Sequence, residues 1–489
     1  MRRREFLTKS GAAVAGGVAL GAFGGVTTAC AASEKAEKEI AKVDVLVVGG
    51  GPAGVCAAIA AARNGASAMI LEQGGCLGGM ATRGLVAPFM TCYDTTGEVM
   101  VIRGLFSEIV DRMVSLGGAI HPSEVRASSP FSAWITAGHD HLTPFDPETM
   151  KFVLDSMCVE AGVRILFHAT LVDPVLGGRT IKGIRVLTRS GIERISAKVV
   201  IDATGDGDVA AKAGVPCEFG NPEIGKVQPA TLFFHMNNVD TPRLIKDVEA
   251  HLHEFRKVNG VSYRALHWRV EEAEAAGEWD IARKSVNIYR GVREDEWAVN
   301  CTRIKDVDAT DSESLTKAEI EGRRQVMELM NFFHKYVPGC ENATIKSSAS
   351  TVGIRESRHV KGEYLLTADD LISAVVPDDS ILVASNSVDV HGRNGANTTE
   401  YRTVEGGPWY GLPLRSLIPL DIENLIVAGR SISASSDAAG AVRVMPPCMA
   451  MGHAAGITAA ISALKGIAPR KIEAGDVRAQ LLREGAFLG

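Results

Sequence analysis

KVDVLVVGGGPAG, residues 42–54, is the stretch on which the fold turns. Val43 to Val48 is an apolar, β-branched run of the kind that forms a buried parallel strand. Gly49, Gly50, Gly51, Pro52, Ala53 and Gly54 follow, then an Ala-rich helical stretch to Asn64-Gly65 and a second strand, Ser67 to Leu71, ending at Glu72. Strand, tight turn, helix, strand and then an acid is the setting in which G-x-G-x-x-G binds a dinucleotide. Gly49 permits the turn, Gly51 lets the backbone approach a pyrophosphate, and Gly54 lets helix and strand pack closely. The phosphates are expected on the helix N-terminus, with the Glu72 carboxylate taking the adenosine ribose hydroxyls.

The next segments identify the dinucleotide. After Glu72-Gln73, the run Gly74-Gly75-Cys76-Leu77-Gly78-Gly79-Met80-Ala81 resembles the loop that leads to the isoalloxazine in glutathione-reductase-like flavoproteins. In the disulfide reductases of that superfamily two redox cysteines follow; here Ala81 and other residues stand in their places, so dithiol chemistry is not expected. Cys76 has no nearby partner and reads as structural. No second G-x-G-x-x-G is present for a nicotinamide, which leaves FAD alone. Val199 to Asp202 is a strand running into Ala203-Thr204-Gly205, similar to the A-T-G motif of two-dinucleotide-fold flavoproteins. Asn424 to Val427 is another strand, ending at Gly429-Arg430. Arg443-Val444-Met445-Pro446-Pro447 then opens a helix carrying Gly452, whose N-terminus is expected to face the flavin N1/C2 oxygen.

LVVGGGPAG, IDATGDGD, GIRESRHVKGEYLLT, LPLRSLIP, NLIVAGRSISAS and RVMPPCMAMGHAAG span nearly the whole chain after residue 43. Together they resemble the FAD-dependent oxidoreductase family related to the flavoprotein subunit of heterodisulfide reductase. The resemblance implies an α/β fold: a glutathione-reductase-like, Rossmann-type FAD-binding domain with an inserted α+β substrate or cap domain. It implies FAD and a redox reaction but no agreed substrate. The cysteine-rich iron–sulfur insertions of the heterodisulfide reductase flavoproteins are missing, as are the histidine and arginine segments of soluble fumarate reductases. The expected organisation is a signal peptide over 1–32, a linker over 33–42, and FAD-binding segments over 43–220 and 345–489. Between these lies a cap over 221–344, and 126–146 is an active-site loop.

The chain opens with Arg2, Arg3 and Arg4, then Phe6-Leu7, a weakly hydrophobic stretch from Gly11 to Val26, and small residues around Ala29-Cys30-Ala31. This resembles a twin-arginine export signal, so the twin-arginine translocase is an expected partner and the expected location is periplasmic or at the cell surface. Cleavage after Ala31 and a lipoprotein-type site at Cys30 are both compatible with the sequence. A net charge of −6 with no basic cluster beyond this segment argues against nucleic acid as a partner. None of the nine cysteines lies within fifteen positions of another, and most are expected in the core. His139-x-His141 and His251-x-His253 lack further partners at ligand spacing, so no metal is expected.

The chemistry needs a carbon held near flavin N5 and groups to hold charge or move a proton. Arg355 in GIRESRH, His391 in DVHGRNG and Arg443 before the flavin helix are the candidate catalytic residues. Arg355 with Glu356 reads equally well as an ion pair between cap and FAD domain. Three readings follow, of which a non-catalytic flavin-binding or scaffold protein is one. A second is an exported enzyme performing two-electron chemistry on a small organic substrate, held as an anion by the arginines. It would pass electrons to a quinone, a cytochrome or an iron–sulfur protein. The third is an electron-transfer component of a heterodisulfide-reductase-like complex, working with an iron–sulfur or haem partner.

Overall fold

A computed structural model describes residues 37–392 and 398–489. The export signal, Cys30, the start of the expected linker and Arg393 lie outside the described residues. The first half of the chain supplies β1 (Lys38–Val48), α1 (Pro52–Arg63), β2 (Ala68–Glu72), β3 (Arg164–Phe167), β4 (Thr170–Gly177), β5 (Thr180–Thr188) and β6 (Gly191–Asp202). β3, β2, β1 and β6 lie side by side and parallel. Leu425–Val427 joins the C-terminal end of β6 in parallel, and the β4–β5 hairpin joins its N-terminal half antiparallel. The result is a mixed α/β fold on a Rossmann-like parallel sheet.

β1 starts five residues before the expected Val43, so the end of the linker segment is strand. Lys38 and Glu39 pair with Glu193 and Arg194 of β6. Main-chain pairing with a long neighbour recruits these polar residues, which carry no apolar pattern.

The Met445–Lys465 helix is buried along most of its length and crosses α1 at close range. A Cβ on Gly452 would lie 2.0 Å from the Ala53 carbonyl oxygen, and one on Gly456 2.2 Å from that of Ala57. Only hydrogen fits at either place, and that lets two backbones meet.

The inserted segment builds its own antiparallel sheet in the order Asn287–Arg290, Trp297–Asn300, Phe234–Asn237, Thr344–Ser348. The Ser312–Tyr336 helix, capped by Asp311, belongs to the same core, in which Phe234, Trp297, Leu329 and Phe333 are buried. Two details differ from expectation. The sheet runs to Ser348, beyond residue 344, and the first cap strand begins at Phe234, well inside the segment. Ahead of it, Ala230 and Thr231 make single bridges to Ile304 and Gly353. Trp134 of the 126–146 loop stacks on Trp297, with ring centroids 6.0 Å apart. Six of the eight described cysteines are buried, and all eight are free thiols.

Candidate active site

β1, β2, β6 and Leu425–Val427 end level with one another: Val48 pairs with Leu71 and Asp202, and Val427 with Asp202. Ligands of open parallel sheets bind outside such carboxyl ends. Here a cavity of about 540 Å³ opens there, between the sheet and the cap. Gly49, Gly51, Pro52, Ala53, Glu72, Gln73, Gly79 and Met80 line it from the first half of the chain. Gly49 has φ +106°, and a Cβ there would lie 2.4 Å from the Ala203 carbonyl oxygen. Gly51 is the opposite case: a Cβ would meet no protein atom within 4 Å and would project into open space. Gly51 is also the N-cap of α1 and offers no side-chain cap, so the first-turn amides face an open cradle. These are the features a pyrophosphate requires.

Glu72 is buried and already engaged. Its Oε2 accepts from the Gly50 amide at 3.0 Å, and its Oε1 from Gly74 at 2.6 Å and from Arg83 at 3.1 Å. The carboxylate therefore braces the glycine turn as well as lining the cavity. Gly50, Gly54, Gly78, Ala81 and Gly452, all within the segments expected to form the cofactor site, do not line the cavity. Gly50 turns its amide to Glu72, and Ala81 is fully buried. A Cβ on Gly54 would fall 1.9 Å from the Gly49 carbonyl, and one on Gly78 2.5 Å from Thr82. With Gly452 on α1, these are close-packing positions that shape the cavity from behind.

Thr204, Gly205, Gly429 and Arg430 line the far side with Ala203. Arg430 donates to the Gly205 carbonyl at 2.7 Å, pairs with Asp206 at 2.7 Å, and donates to the Ile354 carbonyl. It joins three remote segments rather than standing free for a ligand. Val444, Met445 and Cys448 bring the start of the Met445–Lys465 helix to the cavity. Pro446 and Pro447 lack amides, and the Cys448 amide is held by the Val444 carbonyl, so Met445 carries the available N–H. Burial pushes the Cys448 thiol up to about 12, which makes it unreactive at neutral pH.

Arg355, His391 and Arg443 converge on the same cavity, joined by Asp389, Tyr289 and His139. Arg355 donates to the Pro229 carbonyl, and Arg443 reaches the Gln228 side chain at 3.5 Å and the Asp389 carbonyl at 3.4 Å. Burial lowers both guanidinium pKa values, and for Arg355 the charges of Arg443, Arg283 and Arg303 lower it further. Burial works to raise Asp389, but His391, Arg443 and Arg355 outweigh it and hold the carboxylate well below its usual range. Glu356 takes the Gln228 amide at 2.8 Å, the Ser436 hydroxyl, and His359 at 3.3 Å. Among the described residues, Arg443 Nε and Gln228 Nε2 are buried donors with no partner.

His391 Nε2 lies 3.4 Å from Asp389. Burial pushes its pKa down to about 3, so the ring is neutral at neutral pH. In the ligand-free site it is a neutral hydrogen-bond partner of Asp389. The expected active-site loop over 126–146 brings His139 to the cavity, whereas no sequence motif marks Tyr289. Tyr289 lies on a four-residue cap strand, and its one local signal is alternation with the buried Ile288. Among the described residues, no three His, Cys, Asp or Glu side chains gather as a metal site.

A model of the FAD dependent oxidoreductase family matches residues 44–481. A thiamine thiazole synthase from Methanococcus aeolicus is 26% identical over 203 residues, covering 38% of this chain and 63% of its own. That of Methanococcus maripaludis is 28% identical over 181 residues, covering 34% and 57%. The chain therefore spans less than two thirds of the length of these curated relatives. Among solved structures, p-nitrophenol 4-monooxygenase from Pseudomonas putida DLL-E4 is similar with a TM-score of 0.44 at 12% identity, covering 91% of this chain and 87% of that one.

Proposed function

The chain belongs to the FAD dependent oxidoreductase family, and from that premise we propose that it exchanges two electrons with a small organic anion seated against Arg355 and Arg443. It is an enzyme and its cofactor is FAD. Bound FAD supplies the two-electron chemistry at N5, and the protein supplies binding, orientation and charge. The open cradle at Gly51, the uncapped start of α1 and the level strand ends would hold the dinucleotide.

One observation carries the substrate reading. Arg355 and Arg443 come from two segments to line one cavity, and, with burial, the positive charges of Arg443 and Arg283 help to lower the Arg355 pKa. A cavity in which guanidiniums crowd one another favours an anion, and a planar guanidinium fork orients a carboxylate through paired hydrogen bonds. Arg443 Nε, buried and without a partner among the described residues, adds a donor. The test is titration of the FAD-loaded protein with propionate, read by perturbation of the flavin absorbance. Arg355→Ala and Arg443→Ala should keep the FAD spectrum and weaken propionate by roughly 2–5 kcal/mol each. Lysine at either place should restore only part, because the fork is lost. Wild-type affinity in both alanine variants would remove the arginine site.

Export belongs to the same proposal, supported by Arg3-Arg4 before Phe6-Leu7 and the weakly hydrophobic run after them. The enzyme is then periplasmic or at the cell surface, and passes electrons to a quinone, a cytochrome or an iron–sulfur protein. The six matching segments support a kinship with the flavoprotein of heterodisulfide reductase and a glutathione-reductase-like FAD domain. Changing Arg3 and Arg4 together to Lys should strand FAD-loaded precursor in the cytoplasm; unaltered export would end the twin-arginine reading.

A further inference from the structure

We propose that Tyr289 and His139 form the oxygen-binding, proton-passing half of this site, and that its substrate is therefore a 2-hydroxy or 2-oxo carboxylate. The proposal rests on the arginine reading above, which places the carboxylate. Tyr289 sits on the Asn287–Arg290 cap strand: Ile288 enters the cap core, and strand alternation turns Tyr289 to the other face, onto the cavity. His139 reaches the cavity from the 126–146 loop. The loop tip is pinned, since the Tyr401 hydroxyl donates to the Ala137 carbonyl at 3.1 Å and a Cβ on Gly138 would lie 1.8 Å from that hydroxyl. Both residues share the cavity with Arg355 and Arg443, and both are buried.

The two rings are nearly parallel, 9° apart, with Tyr289 Oη 3.5 Å from His139 Nε2. His139 Nδ1 lies 3.1 Å from the Ala137 carbonyl. A carbonyl can only accept, so Nδ1 carries the hydrogen and Nε2 presents its lone pair to the phenol. Burial pushes the imidazole down to about 4 and the phenol up to about 12, so at neutral pH the ring is an open acceptor and the phenol keeps its proton. Tyr289 can then donate to His139 while its own oxygen accepts from a ligand hydroxyl. Such a pair serves one kind of redox step. With FAD bound as the acceptor of the C2 hydride, oxidation of a 2-hydroxy carboxylate would also require the hydroxyl proton to leave as the C=O bond forms. That proton would pass to Tyr289 Oη while the Tyr289 proton passes to His139 Nε2, leaving a 2-oxo carboxylate and a protonated His139; reduction would run the same path backwards. The hydroxyl is one carbon from the carboxylate, so both halves of the site engage one small molecule.

The experiment compares acids that differ only in the 2-oxygen, pyruvate against propionate and 2-oxoglutarate against glutarate, by flavin-absorbance titration of the FAD-loaded enzyme. Within at least one pair the 2-oxo acid should bind about 3- to 10-fold tighter, because the Tyr289 O–H can turn from its 3.5 Å contact with His139 Nε2 to donate to the 2-oxo oxygen, which only accepts. Tyr289→Phe should abolish that preference and leave the plain acid unchanged, whereas Arg443→Ala should weaken both members alike. Should Tyr289→Phe not retain FAD, His139→Gln carries the same comparison, with the preference reduced. Equal affinity within both pairs, or a preference that survives in Tyr289→Phe, overturns the proposal and leaves the anion site standing. Failure of all four acids to bind overturns both.

Discussion

Two glycines of one motif should fail in opposite ways when given a side chain. At Gly51 the backbone is extended, with φ −71° and ψ −178°, and a Cβ meets nothing within 4 Å. Gly51→Val should therefore leave the FAD-free fold within about 1 kcal/mol of wild type, the scale of replacing a helix N-cap glycine by an aliphatic residue. What it removes is the ligand. With free FAD at a thousand times its Kd, binding stabilises the folded state by about 4 kcal/mol, and that increment should vanish in the variant. At Gly54 a Cβ would fall 1.9 Å from the Gly49 carbonyl oxygen. Gly54→Ala should destabilise the FAD-free protein itself, by about 3 kcal/mol, because backbone must move to admit the methyl. Denaturant unfolding with and without FAD, alongside absorbance near the flavin maximum, separates the two. Stoichiometric FAD on Gly51→Val would refute the cradle, and a large loss of stability in its FAD-free form would refute the open space.

Gly452→Leu should cost several kcal/mol of stability, since its Cβ already falls 2.0 Å from the Ala53 carbonyl; a neutral unfolding curve would show that the two helices can separate freely. Stability should also fall in acid. His139 titrates near 4 and His391 near 3 when folded, against 6.5 in the free side chain, so the unfolded chain binds more protons below pH 6.5. Burial raises Asp202 to about 6, so between its ordinary 3.8 and 6 this carboxyl works the other way. Two protons gained on unfolding against one lost leave these three groups a net of one near pH 5, a rise of about 1.4 kcal/mol per pH unit in FAD-free stability, and burial of His235 works in the same direction. His391→Gln should flatten that slope, and an unchanged slope would refute the buried neutral ring.

The dinucleotide end was legible because its determinants are local. Turn, helix start and acid lie within one βαβ unit, and each glycine answers a steric demand a few residues away. The substrate end was only partly legible. Arg355, His391 and Arg443 do meet at one cavity, but the sequence could not show that His391 would be neutral, because burial is a property of the assembled fold. Arg430 looks like a ligand group in sequence and proves to be a clamp on Gly205, Asp206 and Ile354, contacts that exist only after distant segments meet. The cap strands are four or five residues each and carry too little period to be read, so Tyr289 passed unmarked.

The sheet that seats the cofactor is assembled from both ends of the chain. β6 is complete at Asp202, yet its partner Leu425–Val427 and the Met445–Lys465 helix come more than two hundred residues later. At roughly 5–20 residues per second, a ribosome needs tens of seconds to make the intervening stretch. Through that interval the main chain of Val200, Ile201 and Asp202 presents an unpaired strand edge, the kind that recruits other strands. The cap, with its own core, can fold while the nascent chain waits. Truncations anywhere before Leu425 should consequently yield aggregating, colourless protein, and flavin should be acquired only after the last helix has left the ribosome.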